Sequence, residues 1–400
     1  MRSVDHRCSA CGAGSTLGVY EGGQVPVNSV LLVNSRQEAL DFQRGDITLA
    51  ACPRCGFISN ITFNEALTQY TARYEATQGF SPTFNKFHRA LAQELIDRYD
   101  LRGKDVIEIG CDKGDFITML AEMGDNRGVG FDPAYVPGRH PSPAADRLTF
   151  IPDFYSEKYT DYRADFICCK MTLEHIPDVG EFVATVRRSI GDKEAVVFFQ
   201  IPNARYVLCD VAFWDIYYEH CSYFTKGSLA RLFRRAGFEV GDLWTAYDDQ
   251  YLMIEARPLP ESVVLRTNSV SALPGEENPA ETLAMVEYFV EHYTAKRDEW
   301  RRALVEWQAA GKRVVLWGGG SKGVAFLTTL DQSLDEIAYA VDINPIKTGS
   351  FLAGMGQEIV APAFLKEYQP DVIIIMNPVY RGEITADLTA MGLAPEIRAL

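Results

Sequence analysis

Val106-Ile107-Glu108-Ile109-Gly110-Cys111-Asp112-Lys113-Gly114-Asp115-Phe116 reads as a buried β-strand running into a glycine turn, with Phe116-Ile117-Thr118-Met119-Leu120 opening a helix. Gly110 and Gly114 are expected to let the backbone of the turn, with Cys111 and Asp112, pass close to a ligand, because no Cβ stands in the way. Glu108 at the strand end suits a positively charged or amino-acid-like ligand better than a pyrophosphate. A second strand, Gly128-Val129-Gly130-Phe131, ends in Asp132, well placed for a ribose diol. The sparse glycines and the acidic first turn favour S-adenosylmethionine over NAD.

Composition bounds the alternatives. The 400 residues are 47% hydrophobic and 23% charged, an ordinary globular composition with length for two or three domains. A formal net charge of −15 argues against nucleic-acid and anionic-membrane partners, which need clustered Lys and Arg. No apolar run approaches the ~20 residues that span a bilayer. The first residues, Met1 to Arg7, carry no apolar segment of the signal-peptide kind. A cytoplasmic protein with a small-molecule substrate, monomeric or homodimeric, is therefore expected.

The N-terminal part, residues 1–75, holds Cys8-Ser9-Ala10-Cys11-Gly12 and Cys52-Pro53-Arg54-Cys55-Gly56. Two such knuckles supply four soft ligands, the tetrahedral set that Zn²⁺ prefers, and a following Gly tolerates the twist of each turn. Four thiolates leave no open position, so such a zinc is structural. Thioredoxin-like redox motifs or free buried thiols are the alternative. Ser29 to Val33 and Ile47 to Ala50 are expected as short strands that bring the knuckles together.

A Tyr-rich stretch, Tyr70 to Phe80, reads either as a lid over the ligand or as packing aromatics. A helix over Ser81 to Tyr99 follows, its core face formed by Phe84, Phe87, Leu91, Leu95 and Ile96. Residues 76–257 then alternate strands and helices, the pattern of a parallel sheet that binds ligands at its carboxyl ends, with Tyr251 to Ala256 at the far edge. Asp153-Phe154 sits at one such end and could hold an adenine. Lys170-Met171-Thr172-Leu173-Glu174-His175-Ile176-Pro177-Asp178 sits at another, with Met171 assigned to the cofactor and His175 read as a loop residue more readily than as a catalyst.

The densest chemical cluster is Asp215-Ile216-Tyr217-Tyr218-Glu219-His220-Cys221-Ser222-Tyr223-Phe224-Thr225, with Thr225 as the N-cap of a helix at Gly227-Ser228-Leu229. His220 beside Glu219 reads as a general base whose ring the carboxylate orients, with phenols nearby to bond a developing oxyanion. A surface loop whose His and Tyr only pack is the alternative.

Residues 258–280 read as a linker. A helix over about Ala280 to Ala310 follows, with Leu283, Val286, Phe289, Val290, Tyr293, Trp300, Leu304 and Trp307 on one face. Residues 281–400 end in a second α/β unit. There Gly318-Gly319-Gly320-Ser321-Lys322-Gly323 follows a strand and precedes a helix, presenting N–H groups and a cation to an anion. No Walker pattern is present, which argues against ATP hydrolysis.

Taken in order, the two Cys-x-x-Cys pairs, Val106 to Cys111, Tyr217 to His220, and Val341-Asp342-Ile343-Asn344-Pro345-Ile346-Lys347-Thr348-Gly349 resemble the three-domain sugar methyltransferases that act on nucleotide-linked deoxy-ketosugars. The resemblance covers nearly the whole chain. It implies an α/β protein with a zinc-stabilised N-terminal domain, a central class I (Rossmann-like) domain for S-adenosylmethionine, and a second Rossmann-like domain. A sugar nucleotide would reach between the last two. It further implies C-methylation beside a ketone, with His220 as general base, Tyr217 and Glu219 holding the sugar and the base, and Tyr74 as a lid tyrosine. Tyr218, Asn203, Ser321, Lys322 and Asn377 are the expected substrate contacts. O-methylation of a sugar or another natural-product intermediate is the competing reaction.

Overall fold

The structure, a computed structural model, describes residues 2–139, 141–260, 272–332 and 334–400. Residues 261–271 of the expected linker lie outside the described residues. The strand that ends at the first glycine turn, Asp105–Ile109, lies inside a seven-stranded sheet. In spatial order the strands are Phe238–Ala246, Tyr251–Pro258, Val196–Pro202, Phe166–Lys170, Asp105–Ile109, Arg127–Phe131 and Leu148–Ile151. The last five run parallel; the first two add as an antiparallel hairpin. Its order places Asp105–Ile109 between Arg127–Phe131 and Phe166–Lys170, so the chain reverses its direction of winding there and opens a crevice.

Tyr251–Pro258 is thus not the edge strand, as expected from its sequence; Phe238–Ala246 covers it. A register shift between Val240 and Asp242 breaks the alternation that would have marked the outer strand. The helix Pro82–Tyr99 is capped by the Ser81 hydroxyl, and its Phe84, Leu91, Leu95 and Ile96 face the sheet together with His88.

A five-stranded antiparallel sheet forms the N-terminal part: Ser3–Val4, Thr16–Pro26, Arg44–Ala51, Ile58–Asn60 and, from far along the chain, Ser222–Tyr223. Ser29 to Val33 is not a strand. Leu31 makes one bridge to Tyr74, and other bonds of the segment go to Arg73, Glu75, Glu219, Ser321 and Phe351. The strand that does carry the sheet, Thr16–Pro26, is interrupted by Gly22-Gly23 and two register shifts, which hide it from a search for alternation.

Five parallel strands make the third sheet, in the order Glu358–Val360, Ile337–Val341, Val314–Trp317, Val372–Ile375 and Glu396–Ala399. The helix Pro279–Ala309 starts at an Asn278–Glu281 capping box and ties this unit to the first. Val286 and Phe289 pack with Tyr20 and Leu49, whereas Trp300, Leu304 and Trp307 pack with Phe326 and Leu316. Val290, expected on the same face, is exposed. No helix of the described residues is long and apolar enough to cross a membrane.

Candidate active site

Both parallel sheets turn their carboxyl ends toward one cavity of about 700 Å³, lined from all three sheets' surroundings. That volume is in the range of sites that enclose small molecules. Glu108 stands at the end of its strand, buried, with its carboxylate accepting the Ile117 N–H at 3.0 Å. Burial lifts its pKa to about 7, opposed by the nearby Lys170 charge. Asp132, one strand over, accepts the Asp112 N–H at 2.8 Å and the Ala134 N–H at 2.7 Å, and burial raises it as well. Asp112 sits in the left-handed region at φ 46°, and burial pushes its carboxyl to about 7.

Of the two glycines of the turn, Gly110 lines the cavity and Gly114 does not. A Cβ on Gly110 would lie 1.9 Å from Thr172 Oγ1, and one on Gly114 would lie 2.5 Å from Phe150. Both residues have positive φ and make room for protein side chains. Cys111, Phe131 and Met171 do line it. Asp153 also borders it, but its Oδ2 is already engaged by Lys158 and by Tyr159 at 2.6 Å, and its Oδ1 accepts the Phe154 N–H. The Phe154 ring stands 57% exposed, edge-on to Tyr70.

Lys170 and His88 were not singled out from the sequence. Lys170 ends the strand beside Glu108 and donates to His88 Nε2 at 2.5 Å, while His88 lies flat on Phe116. Burial and the Lys170 charge hold His88 well below the usual imidazole range, so it accepts as a neutral ring. A buried acid and a buried ammonium thus face the same end of the cavity, a match for an amino-acid zwitterion.

The loop above the sheet carries the reactive groups. His220 is buried, and its Nε2 lies 2.9 Å from the Tyr217 hydroxyl. Its ring centroid is 5.0 Å from that of His175, edge to face. His175 Nδ1 faces the Glu219 carbonyl at 3.0 Å, which makes that nitrogen the donor and leaves Nε2 as the basic one. Burial lowers His175 to about 4 and holds His220 far below its ordinary value. Tyr70 and Tyr74 border the cavity from the N-terminal part, their rings 5.3 Å apart.

Two neighbours of His220 in the sequence point elsewhere. Glu219 does not orient the ring: its carboxylate accepts the Ser29 N–H at 2.8 Å and the Ser29 hydroxyl at 2.7 Å, outside the cavity lining. Tyr218, expected to touch substrate, is buried under Gly45 and Phe63, with its oxygen accepting the Asn64 N–H at 2.9 Å. The carboxylate that does approach His220 is Glu174, 4.0 Å from Nε2.

From the third sheet come Ser321, Lys322 and Asn377. Lys322 ties the units together through Asp215 at 2.9 Å and Gln250 at 3.0 Å, and Gln250 in turn donates to Asn377. Asn203 caps the helix Ala204–Cys209 and donates to Asp249 O. Further contacts pin the segment 75–83 to that unit: Asn344 donates to Glu75, Tyr380 to Gln78, and Glu383 accepts from the Ser81 hydroxyl and the Thr83 N–H.

Away from the cavity, Cys8, Cys11, Cys52 and Cys55 are buried with all four sulfurs within 4.8 Å of one another. Gly12 and Gly56 have φ of 74° and 73°, and each donates to the first cysteine's carbonyl of its knuckle. The Sγ pairs Cys8–Cys55 and Cys11–Cys52 are 3.7 and 3.5 Å apart, close to the ~3.8 Å edge of a tetrahedron with ~2.3 Å Zn–S bonds.

The chain also has relatives. The methyltransferase-domain family matches residues 84–243, and the C-methyltransferase C-terminal-domain family matches residues 258–393. Together the two matches mark an S-adenosylmethionine-dependent methyltransferase. This methyltransferase is 26% identical to the C-methyltransferase NovU of Streptomyces niveus over 397 residues, which is 96% of this chain and 92% of NovU. Two solved structures resemble part of it. Magnesium protoporphyrin IX methyltransferase from Synechocystis PCC 6803 with bound SAH is 14% identical with a TM-score of 0.34, over 44% of this chain and 84% of that one. A Burkholderia thailandensis 1,6-didemethyltoxoflavin-N1-methyltransferase is 17% identical with a TM-score of 0.34, over 46% and 83%.

Proposed function

We propose that this methyltransferase adds a methyl group to the carbon beside the ketone of a nucleotide-linked sugar, with His220 as the general base. The observation that carries this reading is His220 itself: a buried neutral imidazole in the cavity between two sheet edges, hydrogen-bonded to Tyr217. S-adenosylmethionine supplies an electrophilic methyl on a sulfonium. Glu108 and Lys170 hold its amino-acid end, and Asp132 its ribose. Ser321, Lys322, Asn377 and Asn203 face the sugar nucleotide, and Tyr74 covers the sugar.

His220 takes the proton from the carbon next to the carbonyl, and the C–H electron pair passes into the enolate. Tyr217 donates to the enolate oxygen, where charge develops. S-adenosylmethionine held by Glu108, Lys170 and Asp132 would supply the methyl to that carbon, its S–CH₃ electron pair going to sulfur. Alignment in an enclosed cavity removes much of the entropic barrier. The four cysteines hold a structural Zn²⁺ within a 1–75 domain, followed by a 76–257 cofactor domain and a 281–400 domain for the nucleotide. Incubation with a nucleotide-linked ketosugar and ¹³C-methyl cofactor tests the reading by NMR. The methyl is expected on carbon; a methyl on oxygen replaces this reading with O-methylation.

A further inference from the structure

The buried carboxyl of Glu174 has no role in the reading above. It sits in the middle of the turn Leu173–His175 that follows the strand Phe166–Lys170, is 1% exposed, and lines the cavity. Neither of its oxygens has a hydrogen-bond partner. Buried carboxyls are rarely left so, because an unmet acceptor costs free energy. Its Oε1 lies 4.0 Å from His220 Nε2, and Glu174, His175 and His220 bring their ligand atoms within 4.8 Å of one another. Glu219, by contrast, has both oxygens occupied by Ser29.

We propose that Glu174 is the positioning residue for His220: ionised, it faces the imidazolium that forms when His220 takes the substrate proton, and it fixes the ring's protonation state. The inference rests on His220 being the base. No bond to Glu174 forms or breaks; the proton stays on His220 and later leaves to solvent, while the carboxylate supplies the opposing charge. The arrangement is matched to a step in which a neutral, buried ring becomes a cation, where one nearby buried anion counts for much more than in water.

Other titratable groups surround the pair. Tyr217, Tyr223, Cys221 and Asp215 come from the same loop, Tyr70 from the N-terminal part, Cys169 and Tyr251 from the sheet, and Lys322 from the third unit. Burial lifts the phenols and thiols above their ordinary values and lowers His175 to about 4. It raises Glu174 to about 8 and Glu219 to about 7. Activity that needs ionised Glu174 rises as pH climbs through its titration.

Glu174→Gln and Glu219→Gln, measured side by side, separate the two. In Glu174→Gln, kcat falls about tenfold or more and its rise with pH disappears, while the calorimetric affinity for S-adenosylhomocysteine stays. Glu174→Asp recovers part of the loss. In Glu219→Gln the rise remains. The His220 ring ¹⁵N resonance, assigned by its loss in His220→Asn, moves in wild type as Glu174 ionises, which needs no variant at the carboxyl to fold. A wild-type profile retained in Glu174→Gln, a rise lost in Glu219→Gln instead, or a stationary His220 resonance overturns the inference. If His220→Asn keeps its turnover, the base reading fails; if only Glu174→Gln keeps it, this inference alone fails.

Discussion

The two parallel sheets meet the same cavity with opposite chemistry. Each sends a strand into a glycine turn and a helix: Asp105–Ile109 into Asp115–Gly124, and Val314–Trp317 into Ser321–Leu330. At the central sheet the carboxyl edge carries Glu108, Asp112, Asp132 and Glu174, all raised by burial. At the C-terminal sheet the equivalent acid, Asp342, is covered by Lys347 at 3.2 Å and by the Gly319 N–H. The first edge gathers several buried acids around Lys170 and Lys113, whereas the single acid of the second is neutralised. An edge of strained acids is complementary to a cationic cofactor, and the neutralised edge with its open helix N-terminus is complementary to an anion. Ligand choice therefore lives in the side chains at the strand ends, on an architecture common to both halves.

The largest expected effect removes the group between the edges. His220→Asn is expected to lower turnover by about 10²- to 10⁴-fold and to leave the affinity for S-adenosylhomocysteine as it was. Kinetics and calorimetry on the same preparation read both.

Next, the edges can be weakened one at a time. Asp132→Asn weakens S-adenosylhomocysteine about tenfold, roughly 1.4 kcal/mol, with the KM for the sugar nucleotide unmoved. Lys322→Ala raises that KM and leaves the cofactor affinity alone. If both variants damage both ligands equally, the division between the edges is broken.

The acidic edge also makes a prediction for stability. Glu108, Asp112 and Glu174 have folded pKa values of about 7, 7 and 8, above those of an unfolded chain. Between about pH 5 and 8 the unfolded chain holds fewer protons than the folded one, so stability falls as pH rises through that window. The Tm of the cofactor-free protein should drop by several degrees across it, and Glu174→Gln should flatten part of the drop. A Tm that climbs over the same range would show the carboxyls to be ionised and paired.

The smallest effect concerns the contacts that hold the edges together. Glu75 receives two 2.7 Å bonds from Arg139 and one of 2.8 Å from Asn344, joining all three parts of the molecule. Glu75→Gln should raise the KM for both ligands by a few-fold and speed amide exchange over residues 70–83.

What the sequence revealed follows the range of the interactions. Each cysteine knuckle is a five-residue pattern, and its glycine signals the backbone twist directly; the strand-turn-helix at Gly110 is equally local. Strands broken by bulges, Thr16–Pro26 and Phe238–Ala246, lost the alternation on which their detection depends. The pairing of Glu219 with His220 rested on adjacency, but side chains next to each other in an irregular loop diverge. Tyr217 and His220 face the cavity, while Tyr218 and Glu219 anchor the loop to the N-terminal part through Asn64 and Ser29. Glu174 and His175 carried a weak signal that was available: they follow a strand at the carboxyl edge, where ligands bind. Their approach to His220 spans 46 and 45 positions of sequence and is a property of the fold.

The central claim is that His220 removes a proton from carbon inside this cavity. Exchange of that proton into D₂O, followed by ¹H NMR on a nucleotide-linked ketosugar with S-adenosylhomocysteine present, tests it without methyl transfer. Wild type should exchange the hydrogen beside the ketone and His220→Asn should not; equal exchange in the two proteins would contradict the account.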